Sequence, residues 1–118
     1  FPYCYTQAID FSTDLPTIFK SVDLVVNATP VGGDVSSNET PVSFELLNKN
    51  HLVCDLIYSP PETKFLFEAK KLGAKTLNGV DMLLYQGAAS FEIWTGTEAP
   101  VEIMRKSIYG ALKLEESR

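Results

Sequence analysis

The chain has 118 residues, 45% of them hydrophobic and 21% charged, a balance that suits one compact unit with a core and excludes disordered and fibrous classes. Its formal net charge is −5, and the ten Lys and Arg are scattered apart from Lys70 and Lys71, so no nucleic-acid footprint is expected. No apolar run is long enough to span a bilayer and the first residues show no leader pattern, which predicts a cytoplasmic, membrane-free protein.

Only two cysteines occur; Cys54 lies inside an apolar strand-like run, so reduced thiols are expected rather than a disulfide. The single histidine, His51, and the lack of any Cys/His cluster argue against a metal site. A chain that opens on Phe1 and runs into irregular sequence is expected to be the downstream part of a longer one.

In chain order, DLVVNATP (Asp23–Pro30) is a continuous apolar run ended by Thr-Pro and Gly32-Gly33, the pattern of a fully buried parallel strand feeding a loop. PVSFELLNKN predicts a helix with Thr40 as N-cap and Pro41 at its first position. HLVCDLIY (His51–Tyr58) repeats the strand pattern and stops at Ser59-Pro60-Pro61. PETKFLFEAKKLG predicts a helix starting at Ser59 and the prolines and ending on Gly73, with Phe65, Leu66, Ala69 and Leu72 as its apolar stripe. AKTLN (Ala74–Asn78) is a weaker strand. Two helices follow, from about Val80 to Thr95 and from Pro100 to Glu116, separated at Gly96 and Thr97. Strands alternating with helices predict an α/β fold, the second half of a doubly wound, Rossmann-type parallel sheet with helices on both faces.

Ligands of such folds lie at the carboxyl ends of the strands. At the first end, Asn27 and Thr29 suit either a turn or a closely approached ribose. At the second, Asp55 and Tyr58 fit a buried strand poorly, and the tyrosine is either structural or a ligand contact. At the third, Gly79 permits a strained turn or a close carbonyl, and Met82 is core or cofactor contact. Gln86, set in an apolar run, shares a helical face with Met82 and Ser90, while Leu83, Leu84, Ala88 and Phe91 serve the packed side. A buried amide requires partners, either a neighbouring carbonyl or a ligand.

Taken together, VVNATPVGG, CDLIYSPPETKFLFEAKKLGAKTLNGVDMLLYQGAASFEIWTG and APVEIMRK resemble the carboxyl-terminal half of the shikimate dehydrogenase family, from about Asp23 to Lys106. The resemblance implies NADP-linked reduction of 3-dehydroshikimate to shikimate in a cleft between a substrate domain and a dinucleotide domain. It implies that Asn27, Ala28, Thr29 and Pro30 lie along the cofactor and that Leu56 and Ile57 border its nicotinamide end. Gly79 and Met82 match the residues that hold the nicotinamide ring, and Tyr58 and Gln86 those that reach the substrate. Gly33 and Asp81 depart from the family's usual Met and small residue. The glycine-rich phosphate turn, the segment that reads the 2′-phosphate and the catalytic Lys and Asp have no counterpart here, so no catalytic residue is assigned and the chain alone is expected to be inactive. Residues 1–99 are expected to form a partial dinucleotide-binding domain, and 100–118 a helix returning toward the absent substrate domain. A quinate-preferring enzyme of the same fold and a non-catalytic binding module are the alternatives.

Overall fold

The three apolar runs form a parallel sheet in sequence order, β1 Leu24–Asn27, β2 Leu52–Asp55 and β3 Lys75–Leu77. The computed structural model describes residues 4–114. Val25 pairs with Val53 and Val53 with Thr76; because side chains alternate across a strand, these positions share one face. That face carries the core, in which Val53, Leu47, Phe65, Leu66, Ala69 and Ala74 are buried and Val25 packs against them. Leu24, Val26 and Leu77, on the other face, remain about half exposed. β1 therefore differs from the fully buried strand expected of it: among the described residues it is one of two edge strands, and one of its faces is open.

α2, Lys64–Lys71, covers the core face of β2 and β3. It starts four residues later than its prolines suggested. Thr63, not Ser59, is the N-cap, its hydroxyl accepting from the Leu66 amide at 3.3 Å, and this fully buried threonine stands directly before the apolar stripe. Ser59 instead donates its hydroxyl to Asp34 at 3.2 Å. The far end behaves as expected: Gly73 adopts φ 85°, donating to Lys70 O at 2.9 Å while Ala74 donates to Ala69 O at 3.0 Å, the paired bonds of a left-handed glycine stop.

The helix expected from Thr40 does not form. Only Phe44–Leu46 winds, as a 3-10 turn, because Val42, Phe44 and Leu47 all reach the core at a spacing no single α-helical face provides. A turn at Asn48–His51 then closes the segment, Asn48 Oδ1 accepting from the Asn50 amide at 2.9 Å. His51 is buried in it. Its Nδ1 accepts from the Asn48 amide at 3.1 Å and its Nε2 faces Phe19 O at 2.8 Å, so the two partners select the tautomer with the proton on Nε2. Phe19 ends α1, Leu15–Phe19, a short helix in the stretch expected to be irregular; Asp14 caps it through both the amide and hydroxyl of Thr17.

α3, Val80–Thr95, and α4, Val101–Leu112, form an antiparallel pair joined through Gly96 at φ 68°. Gly87 permits their approach: the Met104 methyl lies 3.4 Å from where a β-carbon would stand. Val101, Met104, Ile108 and Leu112 of the expected stripe are half-buried and Ala111 is exposed; Glu116 lies outside the described residues. Among the described residues no helix is long and apolar enough to cross a membrane.

Candidate functional site

Since Asn27 pairs with Asp55 and Cys54 with Leu77, all three strands deliver their following loops to one rim. An open cleft of about 760 Å³ lies there, with Ala28, Thr29 and Pro30 on one wall and Leu56, Ile57 and Tyr58 on the other. Six of the ten predicted site residues thus meet in one cleft. Gly79, Met82 and Gln86 do not line it; they stand beside it on the entry to α3, tied to it where the Gly79 amide donates to Ile57 O at 3.1 Å.

Asn27 does not face the cleft. It is buried, its Oδ1 accepting from the Thr29 amide at 3.0 Å and hydroxyl at 2.7 Å, its Nδ2 donating to Val31 O at 3.0 Å and Asp55 Oδ1 at 3.1 Å. Its side-chain polar atoms are committed to the turn and to Asp55, the structural one of the two roles its sequence left open. The Thr29 hydroxyl is similarly engaged, accepting from the Val31 amide at 3.2 Å. What this loop offers a ligand is the exposed surface of Ala28, Thr29 and Pro30.

Gly79 has another explanation than either a strained turn or a carbonyl aimed at a ligand. At φ −80° and ψ 0° its backbone suits any residue, but a β-carbon would fall 2.1 Å from Leu56 O and 2.5 Å from Leu56 C. Glycine is needed because α3 begins in contact with the backbone of the Leu56–Tyr58 wall. Just beyond it Met82 is 43% exposed, comparable with Leu56 at 37% and Tyr58 at 41%, leaving an aliphatic and aromatic surface around the rim. Gln86 is likewise exposed rather than buried, its Nε2 donating to Leu83 O at 3.1 Å within the helix. Val80, Leu84 and Ala88 turn the opposite way and are buried, which resolves how an amide sits in so apolar a run: it is on the open face.

Asp55, set apart in the sequence only as a poor fit to a buried strand, joins the two walls through its hydrogen bonds to Asn27 and the Ile57 amide; Arg105 is the one group here that the sequence did not single out. Arg105, on α4, donates to Asp81 Oδ1 and to the Tyr85 hydroxyl, both at 3.1 Å, fastening the first turn of α3 to α4. The Tyr85 hydroxyl and then the Asp81 carboxylate hold its guanidinium pKa above the ordinary value. Cys54, half-buried in β2, has its thiol pKa pushed up by burial.

A parallel sheet with its cleft at the carboxyl ends of the strands, and a helix starting hard against that cleft, defines the chain as the second half of a doubly wound nucleotide-binding fold. Residues 79–109 match the family profile described as Shikimate 5'-dehydrogenase C-terminal domain. The Shikimate dehydrogenase (NADP(+)) of Desulforamulus reducens is 53% identical over 89 residues, 75% of this chain and 31% of that protein. The structure of Shikimate 5-dehydrogenase from Listeria monocytogenes in complex with shikimate and NAD superposes with a TM-score of 0.79 at 36% identity, over 89% of this chain and 37% of that one. Quinate dehydrogenase from Corynebacterium glutamicum in complex with NAD gives 0.74 at 35% identity, over 82% and 34%. The chain belongs to the shikimate dehydrogenase family, within its carboxyl-terminal region. It spans about a third of the length of the curated relatives it matches.

Proposed function

We propose that this chain forms the carboxyl-terminal part of the dinucleotide domain of a cytoplasmic, NADP-dependent shikimate dehydrogenase, which reduces 3-dehydroshikimate to shikimate. The cleft carries this reading: two facing loops at the ends of β1 and β2 expose small and aliphatic side chains, with the exposed Met82 beside them. Such walls fit the flat faces of a nicotinamide and its ribose, which need close apolar contact; the carboxylates in the lining, Asp34 and Glu39, stand farther along the loop after β1. Ala28, Thr29 and Pro30 line the cofactor on one side; Leu56, Ile57 and Met82 hold the nicotinamide end on the other. Asn27 and Gly79 serve indirectly, shaping the loop and the helix start that present these surfaces. Bound NADP(H) supplies the hydride chemistry.

Tyr58 and Gln86 are the polar groups of this chain directed to the substrate. The Gln86 amide gives up its bond to Leu83 O on turning outward, a small loss at an exposed position. Proton transfer is assigned to the family's Lys and Asp, for which this chain has no counterpart, so these 118 residues alone are inactive. Residues 1–99 act as the partial dinucleotide domain and 100–118 as the segment leading back toward the substrate domain.

A quinate-oxidising enzyme is the second reading, favoured by the superposition on the Corynebacterium glutamicum quinate dehydrogenase. Steady-state kinetics of the whole enzyme with shikimate and quinate, each with NADP and NAD, tests both. The first reading expects the highest kcat/KM for shikimate with NADP; preference for quinate selects the second, and no turnover of either overturns both.

A further inference from the structure

Asp55 closes β2 and is 1% exposed. Both carboxylate oxygens are occupied by donors from three different segments. Oδ1 accepts from Asn27 Nδ2 and from the Ile57 amide, each at 3.1 Å; Oδ2 accepts from the Thr63 hydroxyl at 2.8 Å. Asn27 in turn shapes the Ala28–Val31 loop through Thr29 and Val31, and Ile57 is the middle of the opposite wall. A single carboxylate oxygen therefore bridges the two sides of the cleft, while its partner oxygen anchors both to the cap of α2.

We propose that Asp55 is a positioning residue that sets the spacing and register of the two cleft walls, and through them the fit of the dinucleotide and the placing of Tyr58. The reference to a dinucleotide rests on the function proposed above; the bridging of the walls does not. Apolar contact across a groove holds its sides at no fixed separation, whereas hydrogen bonds fall off steeply with distance and angle. Removing the Asp55 carboxylate leaves Asn27 and Ile57 with donors that have lost a buried acceptor, so the walls drift to find new partners. Thr63 offers the matching control. Thr63→Val removes the Oδ2 bond and the α2 cap but leaves the Oδ1 bridge intact.

The test compares Asp55→Ser, Asp55→Asn and Thr63→Val in the whole enzyme. Asparagine keeps an acceptor at Oδ1, so it should restore most of what serine loses. Asp55→Ser is expected to lower kcat/KM for shikimate and raise the cofactor KM by roughly tenfold or more, with Asn within about threefold of wild type. Thr63→Val is expected to lower the melting temperature with near-wild-type KM values. Methyl NMR provides a ligand-independent readout: the resonances of Val31 should shift in Asp55→Ser and stay in Thr63→Val. If Asp55→Ser and Thr63→Val lose stability alike while the kinetics and methyl shifts of both stay at wild type, Asp55 merely holds the fold and the proposal is overturned. A wild-type enzyme inactive on shikimate and quinate removes the functional reading alone; the methyl shifts then decide the bridging role by themselves.

Discussion

Replacing Gly79 with alanine should destabilise the protein, although the backbone at this position would ordinarily welcome the change. At φ −80° and ψ 0° alanine is unstrained, and a glycine-to-alanine exchange at such a site typically stabilises by about 0.4–1 kcal/mol through the unfolded chain. Here the new carbon would stand 2.1 Å from Leu56 O and 2.9 Å from Ile57 C. Ordinary carbon contacts lie at about 3.5–4.0 Å, so relief requires the start of α3 and the Leu56–Ile57 backbone to separate by roughly 1.5 Å. Overpacking of this kind costs about 1–3 kcal/mol, and loss of the Gly79 bond to Ile57 O a further 0.5–1.5 kcal/mol or so. The net expectation is roughly 1–4 kcal/mol, a fall in melting temperature of about 5–20 °C for a unit of this size. Circular dichroism melts of wild type and Gly79→Ala measure it. An unchanged or raised melting temperature would refute the close approach of α3 to the cleft wall.

Gln86→Ala in the whole enzyme should lower kcat/KM for shikimate about threefold to tenfold with cofactor affinity little altered, as loss of one substrate hydrogen bond implies; unaltered kinetics would take Gln86 out of the site. His51→Ala removes two buried hydrogen bonds and the ring that packs edge-on to Phe19, and should destabilise by about 2–4 kcal/mol in urea melts; a loss below about 0.5 kcal/mol, the range of ordinary surface changes, would deny those bonds their role. A thiol reagent should modify exposed Cys4 well before half-buried Cys54, whose raised pKa also reduces its thiolate at a given pH; equal rates would count against its burial. Because the folded pKa of Cys54 is raised above its ordinary value of 9.0, its contribution is fully present below that pH and is lost as pH rises through the folded value.

Much of the fold was legible because its boundaries are chemical. DLVVNATP and HLVCDLIY mark β1 and β2, although each strand ends at a polar residue, Asn27 or Asp55, short of the proline stop the sequence showed; Gly73 and Gly96 both take the left-handed conformation that ends a helix. Thr40–Asn50 misled because Pro41 and its apolar residues mimic a helix start, while the deciding fact, that Val42, Phe44 and Leu47 must all reach one core, is tertiary. α1 was signalled by Asp14 and Pro16 but is too short for any periodicity. At the site, the clustering of the strand ends followed from topology. Which way a polar side chain turns did not: Asn27 points inward to Asp55 and Gln86 outward, and only packing separates the two.

The site assignment is tested most directly by methyl-labelled methionine in the whole enzyme, titrated with NADP. This chain contains two methionines, one on the exposed entry to α3 and one packed between α3 and α4. With assignments made from Met82→Leu and Met104→Leu, the Met82 methyl is expected to shift and saturate with the cofactor while Met104 stays in place. Movement of Met104 with Met82 unmoved, at full NADP occupancy, would contradict the placement of the nicotinamide end beside this cleft.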